Sequence, residues 1–200
     1  MKRILLLFAA AALLLPACSR FSAYFNTFYL AKKSYARAER IVENSASDRL
    51  PPEAIKQYDK AIEQCTKVIQ KGGGWWAGID DALFLMGASY YGKRDYDEAL
   101  RRFDELIVNY PESDRIPEAL FLSGLSHHHK KNYKQADTFF NRIAEQYPDF
   151  QRRDEILFLV GEGYEDDDED RLAIRTYERL LEEFPGSGHA EEALDRIGSL

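Results

Sequence analysis

The sequence predicts an all-α solenoid, a stack of helix pairs around one continuous core. The first observation is a hexapeptide that recurs three times, as ALFLMG at 82–87, ALFLSG at 119–124 and ILFLVG at 156–161. The second is a constant step of 37 residues between its glycines, which continues to Gly198. A period of about 20 to 50 residues is typical of proteins that stack one supersecondary unit, and such proteins usually bind other molecules rather than catalyse.

Residues 1–17 have the pattern of a secretory signal, which lies outside the predicted fold. Lys2 and Arg3 precede an apolar run over 4–15 that is too short to span a bilayer comfortably. The run leads into Leu15-Pro16-Ala17-Cys18, which resembles the lipobox of bacterial lipoproteins. The resemblance implies cleavage before Cys18 and acylation of that residue, with 18–20 as the lipidated N-terminus. The alternative is an ordinary cleaved signal beside a coincidental cysteine.

Composition and charge limit the partners that the chain can bind. The full sequence has 27 basic and 34 acidic residues, a net charge of −7. Removal of 1–17 takes away Lys2 and Arg3 and no acid, which makes the net charge −9. Because an acidic surface repels phosphate backbones, nucleic acid is excluded as an expected partner. With Cys18 acylated, Cys65 has no cysteine to pair with, and we expect a small buried side chain there.

Residues 21–79 are expected to form a divergent first helix pair and a joint. The first helix covers Phe21 to Val42, and a polar loop follows at 44–49. The second helix covers 51–71 and begins with two prolines, which favour the first turn of a helix. Three glycines and the pair Trp75 and Trp76 then form the joint to the regular array.

Residues 80–187 are expected to form three regular helix pairs. In the first pair, apolar residues three and four apart mark one helix from Asp80 to Gly92 and another from Tyr96 to Tyr110. Pro111 stops the second helix, and the same proline returns in each repeat. Residues 188–200 are in phase with the repeat and predict a capping helix at the end of the array.

The 37-residue pattern resembles the tetratricopeptide repeat. That family places a small residue in the first helix, then an alanine and an aromatic in the second helix, and a proline after it. This chain supplies Gly87, Ala99, Phe103 and Pro111, then Gly124, Ala136, Phe140 and Pro148, then Gly161, Ala173, Tyr177 and Pro185. The one clear substitution is His127 at a tyrosine position. The resemblance implies a right-handed α-solenoid of tetratricopeptide-type helix pairs in which these twelve residues pack the repeats.

The three extra residues of each repeat follow its proline, and the second helices end in Tyr-Pro or Phe-Pro. These features resemble periplasmic proteins of the BamD type and, as a second choice, of the YbgF (CpoB) type. The first resemblance implies a scaffold in the assembly of outer-membrane β-barrel proteins, and the second a scaffold in cell-envelope or peptidoglycan organisation. Both imply protein partners and no cofactor. The lipobox resemblance, with Ser19 rather than Asp directly after Cys18, implies a lipid anchor at the periplasmic face of the outer membrane. An enzyme with an attached repeat domain is disfavoured, because the sequence has no nucleophile motif, phosphate loop or metal-ligand spacing.

Two sets of aromatic residues are candidates for partner binding. Phe84, Phe121 and Phe158 recur at one repeat position, which in the tetratricopeptide family faces the groove. With Tyr91 and His128 they form an aromatic strip for a segment of another protein, or alternatively they pack between neighbouring helices. Trp75 and Trp76 suit a protein or membrane-interface contact, with burial against the first unit as the alternative.

Two polar clusters invite a ligand but favour other interpretations. The three side chains of His127, His128 and His129 point about 100° apart on a helix and cannot converge on one ion. We expect His127 to replace a packing tyrosine. The acidic run at 165–170 lacks the glycine and glutamate of a calcium loop, so it is expected to be a solvated turn or a docking point for a basic partner.

Overall fold

The computed structural model describes residues 25–72 and 78–200. All regular secondary structure in these residues is helical, which confirms the predicted all-α class. The helices are α1 (25–43), α2 (Pro52–Gly72), α3 (Ile79–Gly92), α4 (Tyr96–Asn109), α5 (Ile116–His129), α6 (Tyr133–Gln146), α7 (Arg153–Asp166), α8 (Asp170–Glu183) and α9 (Ala190–Ser199). Cys18, Trp75 and Trp76 lie outside the described residues, as does the predicted signal. Each described helix is too short or too polar to cross a membrane.

The chain divides into two compact units, Met1–Glu98 and Ala99–Leu200. In the first unit, small buried residues let α1, α2 and α3 meet in one core that includes Ala31, Cys65 and Ala82. Cys65 is fully buried, as expected, and burial raises the pKa of its thiol to about 12. The thiol is therefore neutral and contributes to the core as a small apolar side chain.

In the second unit, two helix hairpins repeat one packing arrangement. Gly124 of α5 faces the ring of Phe140 on α6, and Gly161 of α7 faces the ring of Tyr177 on α8. A Cβ atom at either glycine would come within 3.0 Å of three ring atoms, so only glycine allows this approach. The aromatic rings and the alanine four residues before each of them are buried. Helix α9 then packs on α8, and Ala193 joins the core of that hairpin.

Helices α3, α5 and α7 each end in a turn with a left-handed residue. These residues are Arg94, Lys131 and Asp168, with φ of 63°, 57° and 59°. In the middle turn, the amide of Asn132 donates to the carbonyl oxygen of His127 at 2.9 Å, and that of Lys131 donates to His128 at 2.8 Å. This pair of hydrogen bonds is the Schellman motif, which usually has glycine at the left-handed position. A side chain there costs roughly 1 kcal/mol.

Helices α4, α6 and α8 each end just before the recurring proline. Helix α4 ends at Asn109, α6 at Gln146 and α8 at Glu183. Proline has no amide hydrogen to donate and its ring clashes with the preceding turn, so the helix cannot continue. Pro111, Pro148 and Pro185 are all exposed. They therefore end the helices without contributing side-chain packing to the core.

Candidate protein-binding surface

Two of the recurring phenylalanines, Phe121 and Phe158, are covered by residues from the joint that follows the next proline. Phe121 is 1% exposed, its ring centroid lies 5.6 Å from that of Phe150, and the guanidinium carbon of Arg152 lies 4.0 Å from its centroid. Phe158 is 6% exposed and stacks on His189 with centroids 4.9 Å apart. Arg152 and His189 are 37 residues apart, so one repeat position supplies both covers.

The prediction of an exposed aromatic strip that includes Phe121 and Phe158 is therefore wrong. The alternative, that these residues pack inside the protein, accounts for both of them. The reason is that the joint folds back over the helix face that the repeat pattern would leave open. The other residues of the predicted strip, Phe84, Tyr91 and His128, are half-buried. Tyr91 packs beside Tyr96 with centroids 5.7 Å apart, and His128 meets the ring of Tyr133 edge-on at 5.2 Å.

The remaining predicted residues have defined places. His127 stacks on Phe139 with ring centroids 5.4 Å apart, consistent with a packing role in place of tyrosine. His128 lies 3.9 Å from a carboxylate oxygen of Glu162, and burial lowers the pKa of this imidazole. His129 is exposed. Within 25–72 and 78–200, no group of three or more His, Cys, Asp or Glu residues has the geometry of a metal site.

The acidic run is only partly a solvated turn. Glu165 lies inside α7 and accepts a hydrogen bond from the Arg196 guanidinium of α9 at 2.6 Å. Asp166 accepts hydrogen bonds from the Tyr133 hydroxyl and from Lys131, and these bonds lower the pKa of its carboxyl group. The four acids that follow, 167–170, are exposed. The first two acids of the run therefore contribute to contacts between helices.

A groove between α6 and α8 is a concave surface in the second unit. Two adjoining cavities, of about 580 Å³ and about 290 Å³, share Val160, Tyr164 and Leu172 as common lining residues. Val160 and Tyr164 come from α7, and Leu172 comes from α8, where its side chain is 37% exposed. We call this surface the α6–α8 groove. Its apolar centre can receive apolar side chains of another molecule.

The two ends of the α6–α8 groove differ in charge. One end combines acids with two lysines, and the other end carries arginines. These residues are Asp137, Asp167, Glu169, Lys131 and Lys134 at the first end, and Arg153, Arg175 and Arg179 at the second. Burial, together with the nearby Asp167 carboxylate, raises the pKa of Asp137 to about 6. The groove can therefore orient a segment that carries opposite charges at its ends.

Sequence reasoning did not identify Leu172, although a signal was present. At the 37-residue step, Leu172 aligns with Glu98 and Gln135, which are polar. This departure from the polar residues at the same repeat position is the signal that singles out Leu172.

Comparison with known proteins agrees with this architecture. The sequence model of one family, described as "YfiO: Outer membrane lipoprotein", matches residues 77–200. Among solved structures, a crystal structure of MamA has a TM-score of 0.55 at 18% identity and covers 72% of this chain and 86% of MamA. MamA of AMB-1 has a TM-score of 0.56 at 15% identity, covering 88% and 86%. MamA of MSR-1 has a TM-score of 0.54 at 16% identity, covering 86% and 93%. At these identities the structural similarity concerns the fold alone, and no curated protein matches the sequence.

Proposed function

The chain belongs to the family of outer membrane lipoproteins described as YfiO, and we propose that it is a lipid-anchored periplasmic scaffold in the assembly of β-barrel proteins. The proposed role is BamD-like: the protein binds the barrel insertase and unfolded barrel segments, and it has no catalytic activity. The proposed anchor is Cys18. Several acyl chains on one residue hold a protein at a membrane stably, whereas one chain alone gives only marginal binding.

The observation that carries this proposal is the α6–α8 groove. Strands of β-barrels alternate apolar and polar side chains with a period of two, so a barrel segment in an extended conformation presents one apolar face and one polar face. The apolar face suits the apolar centre of the groove, which is formed by Val160, Tyr164 and Leu172. The charges at the two ends of the groove suit the polar face and the flanking residues of the segment.

Site-specific crosslinking in intact cells tests the proposal. A photoreactive amino acid placed at Leu172 reports what occupies the groove, and the same amino acid at the exposed Glu178 of α8 is the matched control. Recovery of the barrel insertase or of unfolded barrel proteins at position 172, but not at 178, supports the proposal. Recovery of Tol proteins or peptidoglycan synthases instead overturns it in favour of a YbgF-like role in envelope organisation.

A further inference from the structure

Helix α1 exposes three large apolar side chains near its N-terminus. Phe25 is 51% exposed, Tyr29 is 60% exposed and Leu30 is 40% exposed. At 100° per residue, the three side chains fall within an arc of about 140° around the helix. A tyrosine on such an arc is typical of protein surfaces that meet the membrane–water interface, because its ring is apolar and its hydroxyl is polar.

The opposite side of α1 is packed in the first unit. Ala31 and Ala38 are fully buried, each in a core that includes residues of α2. The ring centroid of Tyr35 lies 5.9 Å from that of Tyr58 on α2. These contacts fix the rotation of α1, so the arc of exposed apolar residues has a defined direction.

Basic residues continue the same arc toward the C-terminal end of α1. Lys33, Arg37 and Arg40 are exposed, and the helical spacing places all three within that arc. Lys32 is exposed at its edge, with its ammonium nitrogen 5.1 Å from the centroid of the Phe28 ring. We call this surface the α1 face, and it consists of Phe25, Tyr29, Leu30, Lys33, Arg37 and Arg40.

The charge of α1 is opposite to that of the chain that follows it. Of its two acids, Glu39 accepts a hydrogen bond from the Tyr58 hydroxyl on the packed side, and Glu43 is the last residue, about 27 Å along the axis from Phe25. Residues 25–43 have four basic and two acidic side chains, whereas 44–200 have 20 basic and 32 acidic side chains, a net charge of −12. An anionic surface would therefore attract the α1 face and repel the rest of the protein.

The position of the α1 face in the chain selects a lipid bilayer among anionic surfaces. Phe25 lies seven residues after Cys18, the proposed site of acylation. Seven residues of chain span at most about 25 Å, so acyl chains on Cys18 would hold the first turn of α1 close to the membrane. The apolar end of the α1 face is the end nearer to Cys18. Tyr29 and Leu30 suit the headgroup region of a bilayer, and the long basic side chains beyond them can reach lipid phosphates.

We propose that the α1 face lies on the surface of the bilayer that anchors Cys18, with Phe25, Tyr29 and Leu30 at the level of the headgroups and the basic residues on anionic lipid phosphates. This contact would give the anchored protein one orientation, with its acidic repeats directed away from the lipid charges. The inference rests on the proposed anchor at Cys18, and it does not depend on a role in barrel assembly.

Quenching of a fluorescent probe by lipids tests the proposal on the acylated protein. The protein is reconstituted in vesicles of phosphatidylethanolamine and phosphatidylglycerol that contain a nitroxide-labelled lipid. The probe is attached through Asn26→Cys, at an exposed position within the α1 face, or through Glu178→Cys on α8 as the control. Cys65 is fully buried and its thiol is neutral, so it does not compete for the probe. We expect quenching at position 26 to be at least threefold stronger than at 178.

Variants of α1 separate contact of its face from proximity caused by the anchor. Lys33→Glu with Arg37→Glu reverses two exposed charges, and Tyr29→Ser with Leu30→Ser removes apolar side chains. Neither pair changes Cys18 or the residues between it and α1. Each pair is expected to lower the quenching at position 26 at least twofold, with the circular dichroism spectrum unchanged.

A charge reversal elsewhere on the protein is the matched control. Arg171 and Arg175 are exposed one turn apart on α8, as Lys33 and Arg37 are on α1. Arg171→Glu with Arg175→Glu changes the net charge by the same amount and should leave the quenching at position 26 unchanged. This result would show that the place of the basic residues, rather than the total charge, determines the contact.

Four outcomes would overturn the inference, and they can be told apart. Quenching that survives both α1 variants would come from the anchor alone, so the inference would fail while the anchor stands. Failure of the parent protein to float with the vesicles would overturn the anchor and the inference together. Equal quenching in vesicles of phosphatidylcholine would refute recognition of anionic lipid. A dimer in light scattering that Tyr29→Ser with Leu30→Ser converts to a monomer would identify a second copy of this chain as the occupant.

Discussion

The two repeat glycines at 161 and 198 should respond to the same substitution with opposite sign. Alanine in place of glycine inside a helix is favoured by about 1 kcal/mol, because glycine loses more backbone entropy on folding. At Gly198 nothing lies within 4 Å of the added carbon, so Gly198→Ala keeps this gain. Since the residue lies near the end of α9, where helices fray, we expect about 0.5 kcal/mol of stabilisation.

Gly161→Ala meets a different environment. The added carbon would come within 3.0 Å of three ring atoms of Tyr177, a side chain that is fully buried and cannot turn into solvent. Overpacking of a buried site costs roughly 1–3 kcal/mol, and three close atoms place this site at the upper end. After subtraction of the helix gain, Gly161→Ala should lower the free energy of unfolding by about 2 kcal/mol.

Urea unfolding followed by circular dichroism measures both effects as shifts of the midpoint at an unchanged slope. In a Tyr177→Leu background the ring is absent, so the cost of Gly161→Ala should largely disappear, and a double-mutant cycle gives the coupling energy directly. If Gly161→Ala were as stable as the parent protein, the ring-on-glycine contact could not be what requires glycine in the repeat.

Three further predictions concern the turn, the groove and the anchor. Lys131→Gly should raise the free energy of unfolding by about 0.5 kcal/mol, because glycine adopts the left-handed backbone without strain, while loss of the exposed ion pair with Asp166 offsets part of the gain. Asp137 has a pKa of about 6 in the folded protein, above its unfolded value, so the folded state binds this proton more tightly and stability falls as pH rises through 6. Asp137→Asn should therefore stabilise the protein at pH 7.5, by about 1 kcal/mol after allowance for solvent screening, and flatten the pH dependence between about 4 and 6. Labelled palmitate should enter the parent protein and Cys65→Ser, but not Cys18→Ser.

Each of these predictions has a contradicting result. A Lys131→Gly variant less stable than Lys131→Ala, which also loses the ion pair with Asp166, would show that the left-handed residue carries no strain. A pH profile of Asp137→Asn parallel to that of the parent would show that this carboxyl does not titrate near pH 6. Equal label in Cys18→Ser would exclude Cys18 as the acylated residue.

The repeat period predicted the helices well because local signals and spacing agree. Alternating first and second helices, and a stop before each proline, follow from the 37-residue pattern alone. The turns were harder, because Arg94, Lys131 and Asp168 occupy a position where glycine is the usual signal. These turns are fixed by hydrogen bonds from the amide of the left-handed residue and from the amide of the residue after it, rather than by residue type.

The candidate surfaces were the least predictable part, because they depend on contacts between distant residues. The cover of Phe121 by Arg152 joins positions 31 apart, and the pairing of Glu165 with Arg196 joins positions equally far apart. Periodicity identifies which residues are equivalent, but it does not say which of them a neighbouring repeat covers. The open Leu194 is the clearest case, since Leu120 and Leu157 at the same repeat position are buried.

The joint residues that cover the recurring phenylalanines have a consequence for how repeats could be added or removed. Arg152 lies over Phe121, and His189 stacks on Phe158. Each of these rings is therefore covered by the residue that directly precedes the next first helix, Arg152 before α7 and His189 before α9. Deletion of residues 122–158 would join Phe121 to Leu159 and bring Phe121 under His189 with the register intact. A deletion of any other nearby length would leave a ring without its cover. Gain and loss of repeats in this array is therefore restricted to whole 37-residue steps.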